Sequence, residues 1–316
     1  MKAESFRKAR TGGRRGPRSA GLWERGQTLV VVALVLVALV AFLALIVDLG
    51  NVYAQRRLMQ NAADAGALAG ARALALGKDE TTVRNAINQY TVVRNGAQAY
   101  QAHILTDTLT VTVTKRFNTY FASIVGVPTF DMLATARAGY SFPGSWNGGL
   151  MPMAVHKDAI PDEPGVTVEI WDDDKVSSDD NLHIVADGQR GWLNFNGGAV
   201  GDSELVDWVT NGYPGKVDVD DWINGTPGSK TSALHAMDVV RTGTTIFVPI
   251  YDSVRSGVMG SGSIDYHIVG FAAFYVKMVV DTGTPKFVQG RFERYVAAQE
   301  GGGTIDTGVR VIGLQG

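Results

Sequence analysis

Residues 28–47, TLVVVALVLVALVAFLALIV, form a run of twenty residues without a charged side chain. A helix of that length covers the ~30 Å hydrocarbon core of a bilayer at ~1.5 Å per residue. No Gly or Pro interrupts the run. It passes at Asp48 into an Ala- and Leu-rich segment where Leu49, Val52, Tyr53, Arg56, Met59, Ala63, Gly66 and Gly70 recur at three- and four-residue steps. That spacing marks one face of a continuing helix, with Gly77 as its natural stop. The small residues Ala63, Gly66, Ala67, Gly70 and Ala71 on it would let a partner, or the chain's own sheet, approach closely. A helix over 28–76 would be on the order of 70 Å long.

Further along, the pattern predicts a second helix over 81–93 and a half-buried strand over 108–115. In that strand Leu109, Val111 and Val113 alternate with threonines. A short helix over 118–125 is expected, stopped by Gly126 with Pro128 after it, and then a strand over 130–140. Residues 141–149 (SFPGSWNGG) carry the Pro, Gly and Ser punctuation of a linker. Beyond them, strands are expected at 166–171, 184–185, 192–195, 244–250, 264–280 (broken around Gly270) and 286–296. Short helices are expected at 204–210 and 232–241. The fold class is therefore α+β: a single transmembrane helix continuing into a long exported helix, a small α+β region, and a mostly β C-terminal domain. The expected divisions are 1–26, 27–77, 78–142 and 143–316.

Charge gives this layout a direction. Residues 1–26 carry eight Lys and Arg against Glu4 and Glu24, a net +6, and the rest of the chain is −8. A basic flank before a span points to a cytoplasmic N-terminus, with everything beyond about residue 48 exported. The Arg-rich tail is read as a topological signal that touches anionic lipid, and no nucleic-acid partner is expected. A cleaved signal peptide would have a shorter apolar core ending in a small-x-small site; Ile46-Val47-Asp48-Leu49-Gly50 offers none. Gly is frequent, at 38 residues, which fits turn-rich β structure. The absence of cysteine excludes disulfides, zinc-thiolate sites and thiol catalysis.

The segment Arg25-Gly26-Gln27, the span, then Asp48, Gly50, Tyr53 and Arg56, then Gln60-Asn61-Ala62-Ala63-Asp64, resembles the N-terminus of TadE/TadG-like proteins of the Flp (tight adherence) pilus-assembly system. The resemblance is dense over 25–71. The stretch 134–138 (ATARA) looks like the end of that family's N-terminal region. GWLNFNGG (191–198), NGTPGS (224–229), FVPIYD (247–252) and VGFAAFYVK (269–277) are more loosely similar to the longer, TadG-like members. The resemblance implies a pilin-like, single-pass structural or assembly component of the cell membrane, whose partners are the bilayer and pilus or envelope proteins, and not an enzyme. It marks Asp48, Gly50, Tyr53, Arg56, Gln60, Asn61 and Asp64 as motif positions, and the small-residue spacing adds Gly66 and Gly70 as interaction positions. The sequence departs from processed pilins, which carry a Glu at the fifth mature position. Counted from Gly26 that position is Val31, and no Glu lies in 28–47.

Other chemistry is sparse. The loop WDDDKVSSDDNLH (171–183) offers Asp172, Asp174, Asp179 and Asp180 as oxygen ligands for calcium, the one cofactor considered. Their spacing lacks the Gly and Glu of an EF-hand loop, and solvated turns on an acidic exported domain are the favoured explanation. Trp192, Trp208 and Trp222 would line either a binding surface or a β core. The five histidines are scattered without H-E-x-x-H. The nearest approach to G-x-S-x-G, Gly139 to Pro143, fails at its last position. An anchored adhesin or calcium-dependent binding module is the alternative to a pilus-assembly component.

Overall fold

The computed structural model describes residues 22–172, 191–197, 200–228, 230–256 and 264–315. Its first element, α1 (Leu22–Ala75), is one unbroken helix of 54 residues. Over 28–47 only Ala44 is even half-buried. An 18-residue window there has mean hydropathy 3.5, with none of it buried. By length and composition this half can cross a membrane.

From Met59 onward the same helix becomes core. Met59, Ala62, Ala63, Ala67 and Ala71 are fully buried. They face Val83 and Ile87 of α2 (Glu80–Asn88) and the strands β1 (Ala99–Ile104), β2 (Thr108–Asn118) and β3 (Thr129–Pro143). The alternation in TLTVTVTK places Leu109, Val111 and Val113 on this buried face, as period-2 patterning requires. The helix expected over 81–93 is α-helical only to Asn88 and continues as a π-helical turn, Gln89–Val93. Within that turn Thr91 is buried and its hydroxyl donates to Ile87 O at 2.8 Å. Asp79 caps α2 by accepting from Thr82 N at 3.1 Å.

The α1 C-terminus is closed twice. Gly77, at φ +66°, sends its N–H to Leu74 O, and Lys78 N–H reaches Ala73 O, the paired bonds of a Schellman stop. The Ala75 carbonyl accepts from Arg310 Nη1 at 2.8 Å.

The remaining elements are β4 (Ser145–Asn147), β5 (Val155–His156), β6 (Thr167–Asp172), β7 (Leu193–Asn194), α3 (Asp202–Asn211), β8 (Lys216–Asp218), β9 (Trp222–Gly225) and α4 (Thr231–Arg241). They are followed by β10 (Thr245–Ser256), β11 (Ile264–Val280), β12 (Phe287–Glu293), β13 (Tyr295–Val296), β14 (Gly301–Gly303) and β15 (Val309–Gln315). The first sheet has the order β1-β2-β3-β15-β13, with β14 also on β3, so the C-terminal strands return to the sheet that covers α1. The second has the order β5-β10-β11-β12-β6, with β9 on β11 and β7 on β9. One face of this second sheet buries Leu205, Trp208, Leu234 and Met237 of α3 and α4 against Phe274 and Val276. The other buries Trp146, Tyr266, Ile268 and Phe271.

Several expectations are corrected. The short helix over 118–125 is only a 3-10 turn, Ala122–Val125. Residues 141–149 are not a free linker: β3 runs to Pro143, and β4 pairs with β8. β11 is not broken at Gly270. It bulges there, pairing Ile250 with Gly270 and Tyr251 with Ile268, so Ile268 and Phe271 share a face despite their odd spacing. The strand expected at 184–185 lies outside the described residues.

The chain divides into two compact units, one containing α1 as far as Ala54 with Phe117–Phe130, the other Gln55–Arg116 with Asp131 onward.

Candidate functional site

The motif residues of α1 fall into three structural groups. Asp48 stands alone in the first. It is the first charged residue after the apolar run, and its carboxylate is buried. One carboxylate oxygen accepts from Tyr120 N at 2.8 Å. The other accepts from Phe121 N at 3.0 Å and Ala122 N at 2.5 Å. Backbone N–H groups at the start of a helical turn have no partner within it. Asp48 supplies that partner from more than seventy residues away in sequence, capping the 3-10 turn. Asn51 Nδ2 adds a long bond, 3.4 Å, to Asn118 O.

Asp48→Ala is therefore expected to free the turn without unwinding α1. Hydrogen exchange at the amides of Tyr120, Phe121 and Ala122 should accelerate by about tenfold or more while the α1 amides keep their protection. Asp48→Asn, which retains one accepting oxygen, should fall between. Wild-type exchange at those three amides in Asp48→Ala would show that something else holds the turn.

The second group is the small-residue face. A Cβ on Gly66 would collide with Thr91 Cγ2, and one on Gly70 would lie 2.8 Å from both Ile87 Cγ1 and Leu109 Cδ2. The face packs on the chain's own α2, π turn and sheet, the second of the two alternatives left open by the sequence. Asp64 is half-buried at the edge of this face, where Gln60 Nε2 donates to it at 2.9 Å and approaches Thr135 O at 3.4 Å.

The third group points outward. Tyr53 is 71% exposed, and Arg56 and Asn61 are exposed as well. Gly50 is exposed, with open space where a side chain would begin. Among the described residues no packing or hydrogen bond accounts for these residue types.

A polar cleft lies at the second sheet. Trp222, 38% exposed, sits beneath Arg255, whose Cζ is 4.2 Å from the ring centroid. Arg255 Nε donates to Asp265 at 3.2 Å, and Asn224 Nδ2 donates to the other Asp265 oxygen at 3.0 Å. His267, with its ring centroid 4.9 Å from that of Trp222, places Nδ1 2.8 Å from Asp252 and Nε2 3.6 Å from Asp220. Burial by itself would raise the Asp252 carboxyl. Hydrogen bonds from His267 and Ser253 outweigh that and hold it below the usual carboxylate value. Its contribution to stability is therefore complete above the unfolded value and is lost as pH falls through the lowered one. The cavity is about 370 Å³, within the range of small-ligand clefts. Trp192 and Trp208, by contrast, are buried core residues.

Among the described residues no group of three or more His, Cys, Asp or Glu is gathered to hold a metal ion. The calcium candidates Asp174, Asp179 and Asp180, and the side chain of Asp172, lie outside the described residues.

Residues 26–73 match a family model described as putative Flp pilus-assembly TadE/G-like. The matched stretch holds the apolar run, Asp48 and the small-residue face. No curated protein and no solved structure matches the chain.

Proposed function

We propose, from the match of residues 26–73 to the TadE/G-like family, that this chain is a membrane-anchored structural component of Flp-type pilus assembly. The first half of α1 holds it in the cell membrane with its basic flank in the cytoplasm. The second half is the spine of an extracytoplasmic module. One observation carries the reading: the matched segment is a single helix, uncovered and apolar before Asp48 and buried by the chain's own fold after Met59. An apolar stretch left bare beside a well-packed one is what a bilayer would cover. The lack of a Glu in 28–47 supports a retained anchor over a processed filament subunit.

The exposed Tyr53, Arg56 and Asn61 would then meet pilus or envelope proteins. Deleting the gene in its host should abolish or sharply reduce Flp filaments, and the wild-type chain should restore them. Normal filaments in the deletion strain would refute the reading. Separate Tyr53→Ala and Arg56→Ala/Asn61→Ala variants should fold normally, with unfolding midpoints within ~0.5 kcal/mol of wild type, yet restore fewer filaments.

A second reading, an anchored binding module, is favoured by the cleft at Trp222 and Arg255. It predicts that Trp222→Ala leaves filaments intact and lowers surface adherence. Unchanged adherence would remove it.

A further inference from the structure

Residues 118–130, NTYFASIVGVPTF, contain no charged side chain. They connect β2 to β3, and most of their large apolar side chains are exposed. Ile124 is 81% exposed and Val125 80%; Phe121, Val127 and Phe130 are also uncovered. An exposed cluster of this kind is costly in water and marks a surface that something covers.

The tip is built and not loose. Thr119 Oγ1 donates to Val127 O at 2.6 Å, and Thr119 N to Pro128 O at 3.0 Å. Ile124 N reaches Phe121 O, and Val127 N reaches Ala122 O. Gly126 closes the turn at φ +92°. The Asp48 carboxylate then fixes the whole tip beside one point of α1, through Tyr120, Phe121 and Ala122. That point is where the apolar run ends.

We propose that this tip is a second membrane contact, with Ile124 and Val125 seated in the headgroup and upper acyl region of the leaflet from which α1 emerges. The inference rests on the reading of residues 28–47 as a bilayer span. Asp48 is then at the bilayer boundary, and whatever it caps is at the boundary too. The apolar residues of α1 up to Val47 and those of the tip are both exposed, and Asp48 joins the end of the one to the start of the other. Short apolar residues with a flanking Tyr and Phe, and no charge to desolvate, suit that depth. Held there, the tip would restrict the tilt of the span by a second attachment at its exit, a task a lone helix leaves to its flanking side chains. A protein partner would need no such coincidence between the cap and the end of the apolar run.

The chain has no native cysteine, so single cysteines report without further engineering. Leu39→Cys, Ile124→Cys and Val125→Cys, each in the full chain, would be labelled with an environment-sensitive fluorophore. They would be reconstituted in phosphatidylethanolamine–phosphatidylglycerol vesicles. Quenching by a lipid with its nitroxide near the headgroup would be compared with quenching by aqueous iodide. The proposal predicts that probes at 124 and 125 are quenched more by the lipid than by iodide, by about twofold or more, with the probe at 39 shielded from iodide. A shielded probe at 39 with iodide-accessible probes at 124 and 125 would overturn the proposal and leave the anchor intact. An iodide-accessible probe at 39 would overturn the anchor, and this inference with it.

Discussion

Gly66→Leu and Gly70→Leu should each unfold the module built on the second half of α1. The loss should be about 3 kcal/mol apiece, the upper part of the range for overpacked cores. At Gly66 the first added carbon already meets Thr91 Cγ2. Thr91 cannot turn aside cheaply, because it is β-branched, fully buried and bonded through its hydroxyl to Ile87 O. At Gly70 the obstacles are Ile87 and Leu109, both in the same core. Chemical unfolding of the full chain in detergent, followed by near-ultraviolet circular dichroism, measures the effect. Thr91→Ala removes the atom that collides, so Gly66→Ala should be better tolerated in that background than alone. Native-like stability of both leucine variants, with only a partner lost, would place the small-residue face at an intermolecular interface.

Arg310→Ala should cost about 2–4 kcal/mol, the scale of a charge-assisted hydrogen bond plus a stranded buried acceptor. The guanidinium is buried. It donates to the last carbonyl region of α1 at Ala75 and to Asp306 Oδ2 at 2.6 Å, and lies 4.3 Å over the ring of Tyr140. One side chain thus joins β15, β3 and the end of α1. Arg310→Lys should recover only part of the loss, since an ammonium cannot reproduce the planar fork. The same denaturation assay checks both, and an unchanged midpoint for Arg310→Ala would show the end of α1 to be held by its Gly77 stop alone.

The residues that announce themselves in the sequence are those whose environment is set by near neighbours. The run 28–47, the alternation at Leu109, Val111 and Val113, and the apolar spacing of the two short helices each report a period that one element imposes on itself. β1 escaped because it is an edge strand in which Tyr100, Ala102 and Ile104 are only half-buried, between the exposed Ala99, Gln101 and His103. β15 escaped because its alternation is diluted by a buried Arg310 and by Gly313. Asp48 could be singled out as a motif residue, but its role could not be read, since its three partners are backbone groups at 120–122. Backbone N–H groups carry no sequence signature. The hint that was available is the pairing of an acid at the end of an apolar run with a remote segment, 118–130, that lacks any charge. Gly66 and Gly70 signalled close packing without naming what packs, and the structure supplies Thr91, Ile87 and Leu109.

One helix serving as anchor in its first half and core in its second is the claim on which the rest depends. Single cysteines at Ser19, Leu39 and Gly50, where an added side chain meets open space at Gly50, test it in host spheroplasts with a membrane-impermeant maleimide. Labelling is expected at position 50 in intact spheroplasts, at position 19 only after the membrane is opened, and at position 39 in neither state. Labelling at position 39, or at position 19 before permeabilisation, would contradict it.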